Sequence, residues 1–228
     1  MPDARRFAAH RPIRLSDTDA SGRLRLDAVA RYLQDIAADD ILDAGWSPDE
    51  HIWVVRRTEL TVERPFLGDT AVELTTWCAG IAAAAAARHT TLAGDRGGLI
   101  EAEMTWIHLG RDLQPERLGP RFHSVYGESA GGRKASTRLA IAGPDGNVAT
   151  SPWQVRATDV DRLGHVNNAA YWAAVEQGWR DRLAAPGRIV LEYRKPIDED
   201  DDVTVAQADN SLWLLVGNDV RAAAVASA

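Results

Sequence analysis

Val29, Tyr32, Leu33, Ile36, Ala37 and Ile41 recur at three- and four-residue steps, with Arg31, Gln34, Asp35 and Asp39 on the other side. That pattern predicts an amphipathic helix about five turns long. A second helical pattern covers 167–184 and carries Tyr171, Ala174, Val175 and Gly178, with so many alanines that most of its circumference can be buried. Gly187, after Pro186, reads as its terminator. Strand patterns follow each helix, over 51–62, 70–79, about 84–92 and 99–109, then over 188–194, 202–208, 211–216 and 219–226. GDRGG (94–98) and GN (217–218) are hairpin signals. The run IAAAAAARH (81–89) has high helix propensity, but its place between two strand patterns favours strand. The expected class is α+β, in which one long helix lies across a curved antiparallel sheet.

This order occurs twice. Arg14, Asp17, Asp19 and Gly22 stand 142 residues before Arg156, Asp159, Asp161 and Gly164, and Pro65, Asp69 and Val72 stand 131 before Pro196, Asp200 and Val203. Agreement at two places in the same order argues for tandem duplication. The chain therefore divides into a first unit (1–110), a connection rich in Gly, Pro, Ser and Arg (111–148) and a second unit (149–228).

Composition narrows the function. The chain has 228 residues, 45% of them hydrophobic and 26% charged, and a net charge of -7. Such a balance argues against nucleic acid as a partner. Neither a signal-peptide run at the N-terminus nor a membrane-spanning stretch is visible, so the expected compartment is the cytoplasm. The single cysteine, Cys78, excludes an internal disulfide and reads as a packing residue; the six histidines are dispersed, so neither a metal nor another cofactor is expected.

The two copies differ at one place that matters for chemistry. Both contain Asp-x-Asp-x-x-Gly, but the second continues as His165, Val166, Asn167, Asn168, whereas the first continues as Arg23, Leu24, Arg25, Leu26. A glycine turn ahead of a helix offers unpaired peptide N–H groups and partial positive charge to a substrate carbonyl. Amides near Gly164 are candidate oxyanion donors, with Asn167 and Asn168 positioning substrate or capping the helix. Asp161 is the candidate carboxylate to activate water or attack the carbonyl, and His165 its helper. Tyr171 and Glu176 fall at helical spacing below them as supporting candidates. Asp17, Asp19 and Asp159 read as turn or cap residues, and Trp172 and Trp179 as packing.

Taken together, RLSDTDASGRLRLDAVARYLQDIAADD, WVVRRTELTVERP, VELTTWCAG and TDVDRLGHVNNAAYWAAVE resemble the acyl-acyl-carrier-protein thioesterases of bacteria and plants. The resemblance implies a tandem hotdog fold, catalysis in the C-terminal unit at Asp161 and His165, and an acyl chain lodged largely in the N-terminal unit. It also implies a fatty acyl-carrier protein as substrate. Plant members have Asn where this chain has Leu163, and Glu-Cys where it has Pro196 and Ile197. In these respects the site is similar to the simpler hotdog acyl-CoA thioesterases, whose Asp is the principal catalytic group. The rival expectations are an acyl-CoA thioesterase and a non-catalytic acyl-binding module. Arg162, Arg180 and Arg182 are candidates for a basic rim facing an acidic carrier. Hotdog units meet edge to edge; the duplicate can meet that need within one chain, and a homodimer of tandem units is a further expectation.

Overall fold

Residues 4–47, 52–146, 148–179 and 187–227 are described by a computed structural model. The elements run β1 (Phe7–Pro12), α1 (Leu26–Asp43), β2 (Ile52–Arg64), β3 (Ala71–Ile81), β4 (Ala85–Gly94), β5 (Leu99–Leu109), α2 (Pro120–Ala130), β6 (Ala149–Trp153), α3 (Asn168–Gly178), β7 (Gly187–Tyr193), β8 (Val203–Ala208), β9 (Ser211–Val216) and β10 (Asp219–Ser227). Each expected strand is present, and α1 has its expected five turns over 18 residues.

The ten strands of the described residues form one antiparallel sheet in the order β1-β3-β4-β5-β2-β7-β10-β9-β8-β6. Read from either edge, the order repeats, with β6, β8, β9, β10 and β7 standing for β1, β3, β4, β5 and β2. The halves join through β2 and β7, where Glu59 faces Val190, its own counterpart at the 131-residue offset, flanked by Thr58 opposite Leu191 and Leu60 opposite Ile189. A pseudo-twofold axis therefore passes through the Glu59–Val190 pair, and the duplication visible in the sequence is a symmetry of the sheet.

α1 and α3 lie side by side on one face of this sheet. Leu33, Ile36, Leu60, Leu74, Trp172, Val175, Leu191 and Leu214 belong to one buried cluster that spans both copies. Each such side chain contributes roughly 1.5–3 kcal/mol by leaving water. Trp172, Trp179 and Cys78 are buried, as a packing role requires.

Two readings need correction. The connection after β5 contains α2, which begins with Pro120 at its first position and ends at Gly131 in the left-handed conformation (φ 58°). Both signals stood in the sequence, but the surrounding Gly, Pro and Ser masked them. α2 packs Tyr126 flat against Trp46 at 5.6 Å over a small cluster that includes Cys78, Ala86 and Ala130. The alanine run is strand from Ala85 onward, as its place between two strand patterns favoured over its helix propensity, and its small Ala86 side chain shares that cluster with α2. Gly187 opens β7, pairing with Val62; α3 ends at Gly178, short of the expected 184, and 180–186 lie outside the described residues.

Beyond α2 the chain crosses the sheet as an extended strap. The Ala140 and Ile141 amides donate to the Glu192 carboxylate at 2.6 and 3.1 Å, and the Trp213 indole donates to the Ala142 carbonyl at 2.8 Å. Ile141 and Val148 pack on Ala206, Trp213, Leu215 and Ala223. Since Leu212, Leu214, Ala222 and Ala224 alternate with these residues and face α1 and α3, the strap lies on the opposite face.

One buried charge ties these layers together. Asp40, 1% exposed, accepts from Arg5 Nε at 2.8 Å and Tyr126 Oη at 3.0 Å, and pairs with Arg88 Nη1 at 2.7 Å. Burial, and then the Asp40 charge, push the Tyr126 hydroxyl up to about 12.

Candidate active site

The two Asp-rich turns superpose bond for bond. In the first copy, the Asp19 amide donates to the Arg23 carbonyl, Gly22 to Asp19, Arg25 to Asp17 and Leu24 to Phe66, at 2.8, 3.0, 2.9 and 3.2 Å. In the second, Asp161 donates to His165, Gly164 to Asp161, Asn167 to Asp159 and Val166 to Ile197, at 2.9, 2.9, 2.7 and 2.8 Å. Gly22 and Gly164 have φ of 82° and 80°, a region that L side chains enter at a cost. Asp17 and Asp159 accept the Arg14 and Arg156 amides at 2.9 and 3.0 Å, as cap residues do.

What fills the shared frame differs. Asp19 accepts from the Ser21 hydroxyl and amide at 2.6 and 2.9 Å and from Arg23. Desolvation, the largest single influence, opposes ionisation there, but the bonds from Ser21 and Arg23 together outweigh it and hold Asp19 at about 2. It is a fixed, neutralised anion. Among the described residues, Asp161 Oδ1 accepts the Leu163 amide, at 2.9 Å, and Oδ2 receives a long 3.4 Å bond from Asn167 Nδ2. With no arginine paired to it among the described residues, Asp161 keeps lone pairs available for a water.

Asn167 is the N-cap of α3. Its Oδ1 accepts the Ala169 amide at 2.9 Å, which turns its Nδ2 toward Asp161. The amide of Gln34, on α1, closes this arrangement: Gln34 Nε2 donates to Asn167 Oδ1 at 3.2 Å and Asn167 Nδ2 donates to Gln34 Oε1 at 3.3 Å. The first copy thus supplies a side chain to the second copy's turn. Gln34 reads as a solvent-side residue in the helical pattern; the signal that could have found it is the duplication, because Gln34 and Glu176 stand 142 apart.

Glu176 makes the reciprocal contact. Its carboxylate accepts the Leu26 amide at 2.9 Å and Arg23 Nη2 at 2.8 Å, across the pseudo-twofold at the first copy's turn. The supporting role beside Asp161 expected of Glu176 is therefore not what the geometry gives; it caps α1 and braces the two helices. Its pKa is raised by burial, against the pull of the Leu26 amide and Arg23.

His165 and Asp161 are joined through backbone, but no bond links their side chains. The imidazole Nδ1 lies 2.7 Å from Asp198 Oδ1, and both side chains are exposed. Such a contact leaves Nε2 free to face a ligand. Asp198 was not foreseen; it comes 33 residues later from an irregular segment, where no periodicity marks it. Gly164 is exposed, but its amide already serves the turn through Asp161. The amide of Asn168 opens α3 and has no intrahelical carbonyl to meet. Tyr171 is buried, its ring edge-on to Tyr193 at 5.2 Å, and burial raises its pKa. Among the described residues no group of three or more His, Cys, Asp or Glu is placed to hold a metal ion.

The arrangement offers a carboxylate with free lone pairs, an amide pair fixing its direction, a carboxylate-held imidazole and a helix N-terminus. Residues 5–119 match the family model for the acyl-ACP thioesterase N-terminal domain and 144–219 that for the C-terminal domain. An uncharacterized protein of Mycobacterium tuberculosis is 34% identical over 217 residues, covering 92% of this chain and 87% of that one. Among solved structures, a putative oleoyl thioesterase from Lactobacillus plantarum superposes with a TM-score of 0.82 at 16% identity, covering 99% of this chain and 96% of that one. The 12:0-ACP thioesterase from Umbellularia californica gives 0.77 at 19%, covering 97% and 96%. At these identities the structural likeness speaks for the fold, a mixed α+β chain with a large antiparallel sheet. Among the described residues no helix is long and apolar enough to cross a membrane.

Proposed function

This chain belongs to the acyl-ACP thioesterase family and is a thioester hydrolase, and from that premise we propose that it cleaves fatty acyl-carrier protein at Asp161. We read the fold as a tandem hotdog, with units 1–110 and 149–228 joined by 111–148, the acyl chain lying mainly in the first. The single observation that carries the site assignment is the contrast between the turns: one frame, with Asp19 neutralised by Arg23 and Asp161 left with lone pairs free.

In this reading the substrate carbonyl rests on the amides that open α3, chiefly that of Asn168, whose side chain also lines the approach. Asp161 takes a proton from a water as its oxygen attacks the carbonyl carbon. The tetrahedral intermediate collapses with loss of the C–S bond, and the proton passes to the departing thiolate, giving free acid and carrier thiol. Asn167, itself held by Gln34, keeps Asp161 aimed at the water. His165, oriented by Asp198, lines the same entrance and assists the water. A carboxylate so placed is worth about 10²- to 10⁴-fold as a general base.

The donor is tested by thiol release from acyl-carrier protein and acyl-CoA of equal acyl length. A higher kcat/KM for the carrier is expected; a preference for CoA reassigns the donor, and tight binding of both without turnover makes the chain an acyl-binding module. Gln34 gives a sharper test of geometry. Gln34→Ala should lower kcat by about 10- to 100-fold through misorientation while KM and the melting temperature hold. Equal losses in Gln34→Ala and Gln34→Glu, with KM rising and kcat intact, would reassign Gln34 to binding.

A further inference from the structure

On the face of the sheet away from α1 and α3, the strap and the strands line a half-open cavity of about 780 Å³. This lies within the range of small-molecule sites. Its floor is Arg57, Thr105 and the outward side of β3 and β4; its roof is the strap, with Arg133, Lys134 and Arg138; Arg6 enters from the chain before β1. The charged groups facing the space are thus five cations, Glu103 and His89, in a chain of net charge -7.

Few of these cations are neutralised. Arg57 bonds Glu59 at 2.7 Å, and His89 bonds Glu101 at 2.7 Å. Arg133 is held by the carbonyls of Ala79 and Ser129 at 2.8 and 2.9 Å, which fix its direction and leave its charge. The Arg6 guanidinium lies 4.4 Å from the centre of the Trp77 ring. Lys134 and Arg138 pair with no carboxylate among the described residues. The strap lays three cations opposite two more, with Glu103 the carboxylate facing the same space, and the excess of like charge repels. The strap is nonetheless fitted closely, since a β-carbon on Gly80 would come within 3.1 Å of the Lys134 and Ala135 backbone. An anion bridging strap and sheet turns that repulsion into attraction, and guanidinium forks suit phosphate oxygens.

We propose that this cavity binds a small organic or inorganic polyanion carrying at least two phosphates. The site is separate from the Asp161 turn and does not depend on the thioesterase reading. It is tested with the full chain by calorimetry, titrating pyrophosphate and adenosine 3′,5′-bisphosphate against sodium chloride at matched ionic strength. Saturable binding of both shows recognition by charge, and binding of the nucleotide alone shows that the base contributes; either result supports the site. The double substitution Lys134→Gln with Arg138→Gln should weaken binding at least about tenfold and leave thioester hydrolysis unchanged. Absence of saturable binding, or equal affinity in the folded double variant, would overturn the proposal.

Discussion

Asp161→Asn should lower kcat/KM for acyl-thioester hydrolysis by about 10²- to 10⁴-fold, with the circular dichroism spectrum unchanged. The asparagine still accepts the Leu163 amide through one oxygen, so the turn survives. Its NH2 group, however, meets the Asn167 NH2 where a carboxylate oxygen now accepts, and it takes no proton from water. Asp161→Ala removes the group without that donor conflict and should lose as much activity. The matching change in the first copy, Asp19→Asn, should leave the rate within about threefold, because that carboxylate is committed to Ser21 and Arg23. A folded Asp161→Ala that hydrolyses like the parent would remove the carboxylate from the reaction.

The second large effect is on stability. Asp40→Ala should cost about 3–5 kcal/mol, the typical loss when one member of a buried ion pair is removed. Arg88 is the reason, because its side chain is 11% exposed and Asp40 is the carboxylate it pairs with. Tyr126→Phe takes away a single neutral donor to the same carboxylate and should cost about 0.5–1.5 kcal/mol. Urea unfolding reads both, as a lower midpoint at constant slope. A loss below about 1 kcal/mol for Asp40→Ala would mean that water reaches Arg88 in the folded chain.

The fold was legible where side-chain period and backbone need coincide. The helix of Val29 to Ile41 and the strands of both copies announce themselves by spacing. The offsets of 142 and 131 reappear as equivalent hydrogen bonds. Asp161, Gly164 and Asn167 stand out in the sequence as candidates because one local turn holds all three. What escaped depends on contacts between distant segments. Asp198 meets His165 only because an irregular stretch folds back beside the turn. Gln34 sits on a face that looks polar and solvent-directed until the partner helix is placed against it. Glu176 was noticed for its distance along its own helix from Asn167, although its carboxylate crosses to the other copy. The cap signals of α2 were present, but no hydrophobic periodicity strong enough to compete with the surrounding Gly and Ser drew attention to them.

The outermost strands, β1 and β6, contain Pro12 and Pro152. Proline has no N–H to offer a neighbour, and on an edge it discourages another strand from docking. Duplication inside one polypeptide has therefore done more than join two sheets at their centre. It has left a ladder whose two outer rungs resist extension, so that further copies of the chain are discouraged from adding strands at either margin.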